Sequence, residues 1–245
     1  MQNSPCWWLM QMHYREMQAH GAAEQGAGDT RDRLIRAAEK LFAERGIAAV
    51  SLREINREAG AKNAVAVQYH FGDRDGLLRA VLHKHWPAVE ARRHALLDEY
   101  EADPDGGGVR SLTACLVRPL AAKLSDEDGG REYLQIHSEL LNMPREEDDP
   151  ARLDPHRDSI QRWRALVAPL LEEDATRLHR RFTVMRFSAA ELARRASTGR
   201  HTDDRLFVSH LIDLCEALLL APTSAETRRL ADARDESRRR RRRAG

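Results

Sequence analysis

Residues 51–72 contain two short helical patterns separated by a tight turn, and this stretch constrains the fold more than any other. Ser51 stands where a helix N-cap is expected, and Glu54 follows three positions later, as a capping box requires. The apolar residues that follow are three and four positions apart, so one face of the helix turns inward. Gly60 suits the left-handed conformation that ends many helices. The pattern therefore predicts a short helix that begins after Ser51 and ends near Ala59.

A second short helix is expected directly after the turn, with Asn63 as its cap. Val67 and Phe71 are four positions apart and would anchor it to the first helix, and Gly72 would end it. Two helices joined by a short turn that contains glycine form a helix-turn-helix unit, whose second helix lies in the major groove of DNA. The sequence therefore predicts a DNA-binding unit.

The side chains around the second helix suit contact with DNA. Gln68 can offer adenine a donor and an acceptor at once. The small residues ahead of it could meet thymine methyl groups, while longer polar and basic side chains could reach phosphates. The N-terminus of a helix that begins at Asp29 or Thr30 could also point its backbone N–H groups and Arg31 at a phosphate. The residues predicted to contact DNA are Arg31, Ser51, Arg53, Lys62, Asn63, Ala64, Val65, Ala66, Gln68, Tyr69, His70 and Arg74.

The stretch TRDRLIRAAEKLFAERGIAAVSLREINREAG at 30–60, followed by AVQYHFGDRDGLLRAVL at 66–82, resembles the TetR family of transcriptional regulators. The resemblance implies an all-α fold. An N-terminal three-helix domain with the helix-turn-helix would bind DNA, and a C-terminal helical bundle would bind a ligand and dimerise. We assign the DNA-binding domain to 29–73 and the ligand-binding and dimerisation domain to 74–235.

The two ends of the chain lack an amphipathic pattern. Residues 1–28 mix Met, Gln, Trp, Gly and Ala without a helical period, and 236–245 contain a run of six arginines. Both segments are expected to be disordered, the first as an N-terminal arm and the second as a basic tail. The alternative interpretations are a helix that packs through its Trp pair for the arm, and a non-specific phosphate clamp for the tail.

Helical spacing of apolar residues continues between these ends. A first helix is expected to begin at Asp29 or Thr30, and a fourth to run from the cap Asp73 to about Tyr100, bent or broken at Pro87. The acidic run 145–155 reads as a loop that leads into a helix start at its Asp-Pro pair. A single long helical segment is expected over 174–197.

Two further sets of residues follow from the bundle that the resemblance implies. The helix over 207–220 is apolar on more than one side, which indicates burial against its own domain and against a second copy. The predicted interface of this homodimer consists of Phe182, Phe207, Val208, Leu211, Leu214, Cys215 and Leu218. A largely apolar effector pocket would draw on Trp86, Leu116, Tyr133, His137, Leu140 and Trp163.

Composition and spacing argue against other classes of protein. The formal net charge of this 245-residue chain is only +1, so binding of nucleic acid must depend on local charge. The three cysteines are widely spaced, and the 11 histidines form no metal-ligand motif, so we expect neither a metal nor a cofactor. Ser111 or Cys115 would need a base such as His137 to serve a hydrolase, and no nucleophile motif supports an enzyme.

No apolar stretch is long enough for a membrane span, so a cytoplasmic protein is expected. The predicted function is a ligand-responsive transcriptional regulator, a repressor that binds a palindromic operator in double-stranded DNA as a dimer and is released by a small-molecule effector. The alternative is a helical scaffold or binding protein that retains the fold without operator recognition. Electrophoretic shift of operator DNA separates the two.

Overall fold

The computed structural model describes residues 25–61, 63, 65–103, 107–143 and 159–244. Within them the chain forms eleven α-helices and two short 3-10 helices, at Ala122–Ser125 and Ala168–Leu170, and no strand, so the predicted all-α fold is confirmed. The α-helices are α1 Gln25–Arg45, α2 Leu52–Glu58, α3 Ala66–Phe71, α4 Arg74–Ala102, α5 Gly108–Ala121, α6 Gly130–Asn142, α7 Ser159–Val167, α8 Glu173–Arg177, α9 Arg180–Ser197, α10 Arg205–Leu220 and α11 Ala225–Ala244.

Helix α1 supports the two helices that follow. Its apolar row, which includes Leu34 and Phe42, is buried against α2 and α4. The helix begins at Gln25, earlier than the start predicted at Asp29 or Thr30. It ends at Arg45, and Gly46 follows with a φ of 85°, in the left-handed region that glycine adopts without strain.

Helix α4 runs unbroken for 29 residues from the end of α3 into the C-terminal half. Its N-cap Asp73 accepts a hydrogen bond from the backbone N–H of Gly76 at 2.7 Å, as predicted. Pro87 was expected to bend or break this helix, but the helix continues through it. Pro87 is exposed, while His85 and Val89 on either side are buried, so packing on the inner face holds the helix together.

The C-terminal half packs α5, α6, α9 and α10 around a core that is continuous with the core of α1 to α4. The single long segment predicted over 174–197 is wrong. His179 takes a left-handed conformation with φ of 57°, which separates α8 from α9. Residues 236–244, predicted to be part of a disordered tail, lie in α11.

The two halves also meet through buried charged groups. The Glu39 carboxylate on α1 lies 2.9 Å from His85 Nε2 and 2.9 Å from Lys84 Nζ on α4. Lys84 Nζ continues to Asp128, 2.8 Å away, in the turn before α6. Glu39 and His85 are 2% and 1% exposed. Because a buried charge is costly without partners, this network ties α1 to the C-terminal half.

In the described residues no single helix is long and apolar enough to cross a membrane. Only the pair Arg205–Leu220 and Ala225–Arg241, bent by 61°, reaches that length and composition together. Several predictions lie outside the described residues. They are the N-terminal arm up to residue 24, the loop over 145–155 with its helix start, and the predicted contacts of Lys62 and Ala64.

Candidate nucleic-acid interface

The start of α2 has the capping box that the sequence predicts. Ser51 Oγ accepts from the backbone N–H of Glu54, and the Glu54 carboxylate accepts from the backbone N–H of Ser51 at 2.8 Å and from its hydroxyl at 2.7 Å. These bonds from Ser51, together with the Arg45 guanidinium, hold the pKa of Glu54 at about 2. Ser51 is exposed, but its hydroxyl already donates to Glu54, so its first role is to fix α2.

The predicted cap of α3 is wrong. The N-cap is Val65, which has no side-chain cap, and Asn63 Oδ1 instead accepts from the Val65 N–H within the turn. Asn56 on α2 supplies the missing acceptor, because its Oδ1 lies 3.2 Å from the backbone nitrogen of Val67. Asn56 is only 5% exposed. A buried hydrogen bond of this kind fixes the start of α3 directly on α2.

Helix α3 divides into an inner and an outer face. Val67 is fully buried and Ala66 is 6% exposed, so the predicted contact of Ala66 with DNA is wrong because its side chain packs into the core. Gln68 is exposed, Tyr69 is 80% exposed and Val65 is 49% exposed. These three side chains form the outer face of α3.

The aromatic end of α3 packs against α1. The Tyr69 and His70 rings meet edge to face with centroids 5.0 Å apart, and His70 is half-buried. The Arg31 guanidinium lies 5.3 Å from the centroid of the Phe71 ring. A cation over an aromatic face is attracted to it, so this contact positions exposed Arg31 beside the end of α3. Arg53 on α2 is exposed and forms no ion pair within the described chain.

Arg74 holds the turn between α1 and α2. Its guanidinium donates to the backbone carbonyls of Ile47 at 2.7 Å, of Ala48 and of Val50. These carbonyls belong to the turn between α1 and α2 and have few other donors there, so a guanidinium with its five N–H groups satisfies them together. Arg74 is therefore engaged in holding this turn, and its predicted contact with DNA stays a prediction.

The turn between α1 and α2 is also held from the other half of the molecule. Glu139 on α6 accepts the backbone N–H of Ile47 through both carboxylate oxygens, at 3.0 and 3.1 Å. Burial raises the pKa of Glu139, and the bond from Ile47 opposes that shift. Ile47 and Glu139 lie 92 positions apart in the sequence, and Asn56 and Val67 lie 11 positions apart. Neither contact therefore leaves a local pattern in the sequence.

Three of the predicted effector residues form a ring cluster, in which Tyr133 and His137 are buried and Trp86 is half-buried. Tyr133 and His137 stack with centroids 5.6 Å apart, and Trp86 lies 6.5 Å from His137. Burial lowers the pKa of His137 to about 4, so this imidazole is neutral near pH 7. The Tyr133 hydroxyl is buried and has no hydrogen-bond partner in the described structure.

The other effector candidates have structural contacts. Leu116 is 2% exposed and Leu140 is half-buried. Trp163 is fully buried, and its indole N–H donates to the Leu112 carbonyl at 2.7 Å. Sequence reasoning missed Arg93, which is 1% exposed and donates to Glu90 and Ser159. Its position four residues from Val89 and from Leu97, on the apolar row of α4, was the available signal.

The predicted dimer residues do not all face outward. Leu211 and Cys215 are buried within the protomer, so their assignment to an interface with a second copy is wrong, because α10 packs them against α5 and α9. Leu214 is 39% exposed, and the remaining predicted residues are half-buried: Phe182, Phe207, Val208 and Leu218. Sequence reasoning missed Leu206 and Leu220, which are 83% and 49% exposed on the same helix.

A family model described as bacterial regulatory proteins, tetR family, matches residues 34–81. The HTH-type transcriptional regulator AcrR of Shigella flexneri is 29% identical over 104 residues, which are 42% of this chain and 46% of AcrR. The HTH-type transcriptional regulator SrpR of Pseudomonas putida is 36% identical over 114 residues, which are 46% of this chain and 49% of SrpR. This chain therefore spans about half the length of these two curated relatives.

A third relative is matched over most of its length. The uncharacterized HTH-type transcriptional regulator TtgW of Pseudomonas putida is 36% identical over 114 residues, which are 46% of this chain and 78% of TtgW. Among solved structures, NalD, the secondary repressor of the MexAB-OprM multidrug efflux pump in Pseudomonas aeruginosa, aligns with 82% of this chain and 100% of its own. Its TM-score is 0.49 at 20% sequence identity.

Proposed function

The chain belongs to the TetR family of bacterial regulatory proteins, and we propose that it is a transcriptional repressor that binds an inverted-repeat operator as a homodimer. This proposal rests on the outer face of α3. It presents Gln68, Tyr69 and Val65 to solvent on a short helix whose start is fixed by Asn56. A recognition helix needs such a face of exposed polar groups on a rigid support.

The contacts with DNA divide into two kinds. Gln68 is the proposed reader of a base edge, because its amide can pair with adenine in the major groove. Tyr69, Arg53 and Arg31 are the proposed phosphate contacts, because all three are exposed around α2 and α3. We infer a cytoplasmic location from these proposed roles, because a regulator of this kind must reach the DNA.

Dimerisation through α10 is supported by its exposed leucines. Leu206, Leu214 and Leu220 are exposed on one helix, and a patch of this kind is stabilised when a partner covers it. Two copies related by a two-fold axis would present recognition helices about 34–36 Å apart, one turn of DNA. An inverted repeat is the operator that this symmetry requires.

The proposed effector is an apolar aromatic compound that binds at the ring cluster of Trp86, Tyr133 and His137. The rings supply apolar contact, and the Tyr133 hydroxyl and the neutral His137 supply hydrogen bonds. The effector would weaken operator binding, and by thermodynamic reciprocity the operator would weaken effector binding by the same factor.

Electrophoretic shift against the DNA upstream of the gene tests the proposal, followed by selection of the preferred sequence. Gln68→Ala should relax preference at one base pair in each half-site, at a cost of about 1–3 kcal/mol there. Gln161→Ala in α7 is the matched control, since it makes the same change on a half-buried residue outside α3. Unchanged affinity and preference in Gln68→Ala would show that α3 does not read DNA, as expected of a scaffold protein.

A further inference from the structure

A cleft opens on the surface between α4, α5 and the start of α10. Its volume is about 460 Å³, which lies within the range of small-molecule sites. Its lining includes none of the residues predicted to bind the effector, so it is separate from the ring cluster of Trp86, Tyr133 and His137. We propose that this cleft binds a small amphiphilic anion, a carboxylate with a hydrocarbon body.

The charge of the cleft favours an anion. Four arginines line it, and two of them are already neutralised: Arg110 bonds to Asp213 at 2.6 Å, and Arg205 bonds to Asp203 at 2.7 Å. The other lining carboxylate, Asp204, is taken by Arg195 at 2.8 Å. Both carboxylates that line the cleft, Asp203 and Asp204, are therefore already ion-paired.

Arg92 on α4 and Arg118 on α5 are the two arginines that remain. Both are exposed, and neither forms an ion pair with any residue in the described part of the chain. Both guanidinium groups line the same cleft, so an anion bound there would be attracted by two positive charges. The planar fork of a guanidinium matches a carboxylate with two parallel hydrogen bonds, so this acid group suits the pair.

The floor of the cleft is apolar, in contrast to its rim. Leu124, Val208 and Ile212 line it together with Ala121, the last residue of α5, and Ala122 in the 3-10 helix that follows. Val208 and Ala122 are half-buried, so a hydrocarbon chain laid on them would remove their remaining apolar surface from water, while the acid group stays at the arginines. A ligand that is both anionic and apolar therefore satisfies the whole lining, whereas an inorganic anion would satisfy only the rim.

Calorimetric titration of the full-length protein with decanoate, without DNA, tests this site. Arg92→Gln combined with Arg118→Gln should weaken decanoate binding at least tenfold. Decanol, which lacks the charge, should bind the wild-type protein at least tenfold more weakly than decanoate. The matched control is Arg239→Gln combined with Arg240→Gln, which removes the same charge from exposed positions on α11 and should leave affinity within about twofold.

Three results would overturn the assignment. Equal weakening in the two double variants would mean that decanoate responds only to net charge. Unchanged affinity in the Arg92 and Arg118 variant would place decanoate elsewhere, and equal affinity of decanol would remove the role of the arginines. Thermal unfolding of each variant shows whether it is folded. Should the double variant fail to fold, Arg118→Gln alone gives the same test, with at least threefold weakening expected.

Discussion

Replacing Glu139 with alanine should loosen the turn that leads into the helix-turn-helix. Both oxygens of Glu139 accept the backbone N–H of Ile47, and the described structure shows no other hydrogen bond or ion pair of this carboxylate. Ile47 is 3% exposed, so its N–H has little access to water once the acceptor is removed. The change therefore leaves a nearly buried donor without a partner.

The cost of Glu139→Ala in stability follows from two opposing contributions to the free energy. A hydrogen bond to a charged acceptor contributes about 1.5–3 kcal/mol. Glu139 is only half-buried, and its raised pKa shows that desolvation of the carboxylate opposes the gain. The net cost of Glu139→Ala should therefore be about 1–2 kcal/mol. Glu139→Gln retains an acceptor oxygen without the charge and should cost less.

Hydrogen exchange of the Ile47 amide measures this directly. If Glu139→Ala lowers the free energy of local opening by about 1.4 kcal/mol, the Ile47 amide should exchange about tenfold faster than in the wild type. Glu132→Ala is the control, because Glu132 is a half-buried glutamate on the same helix with no hydrogen bond in the described structure. Exchange at Ile47 that is as slow in Glu139→Ala as in the wild type would refute the reasoning, since the N–H would then have another acceptor.

Two further predictions concern pH and assembly. Unfolded His137 takes up a proton near its ordinary pKa of 6.5 and folded His137 only near 4, so protonation favours unfolding, and stability should fall as the pH is lowered from 6.5 towards 4. In urea unfolding, the free energy of unfolding should fall by up to about 1.4 kcal/mol per pH unit, about 3 kcal/mol in all. His137→Phe should largely remove this pH dependence, and an identical pH dependence in the variant would contradict the prediction. Leu214→Arg should convert dimers into monomers in sedimentation velocity, because the dimer seam would bury an unpaired charge, whereas Leu230→Arg on α11, where the leucine is 61% exposed, should not. Wild-type protein that sediments as a monomer at micromolar concentration would exclude the proposed seam.

The parts of the fold that could be predicted depend on near neighbours in the sequence. The capping box of Ser51 and Glu54 joins residues three positions apart, and the positive φ of Gly46, Gly60 and Gly72 is a property of single positions. Apolar rows at helical spacing likewise predicted the buried faces of α1 and α4. A local physical cause leaves a local pattern, so these features were visible without a structure.

The parts that could not be predicted depend on partners distant in the sequence. Arg74 has the composition of a phosphate contact, and only the fold brings the carbonyls of Ile47 and Val50, 27 and 24 positions away, within its reach. Ala66 has the size of a thymine contact, and only the packing of α3 on α2 shows that it faces inward. His179 breaks a segment whose apolar spacing is continuous, and the break leaves no composition signal.

Two hydrogen bonds between residues distant in the sequence meet at Ile47. The N–H of Ile47 donates to Glu139 from the C-terminal half, and its C=O accepts from Arg74 at the start of α4. Ile47 precedes the cap of α2 by four positions, and α2 holds the start of α3 through Asn56. A displacement of α6 relative to α4 would therefore act on both the N–H and the C=O of Ile47. Tyr133 and His137 also lie on α6, so the proposed effector, bound at these rings, would alter the position of α3 through Ile47 without contacting α2 or α3.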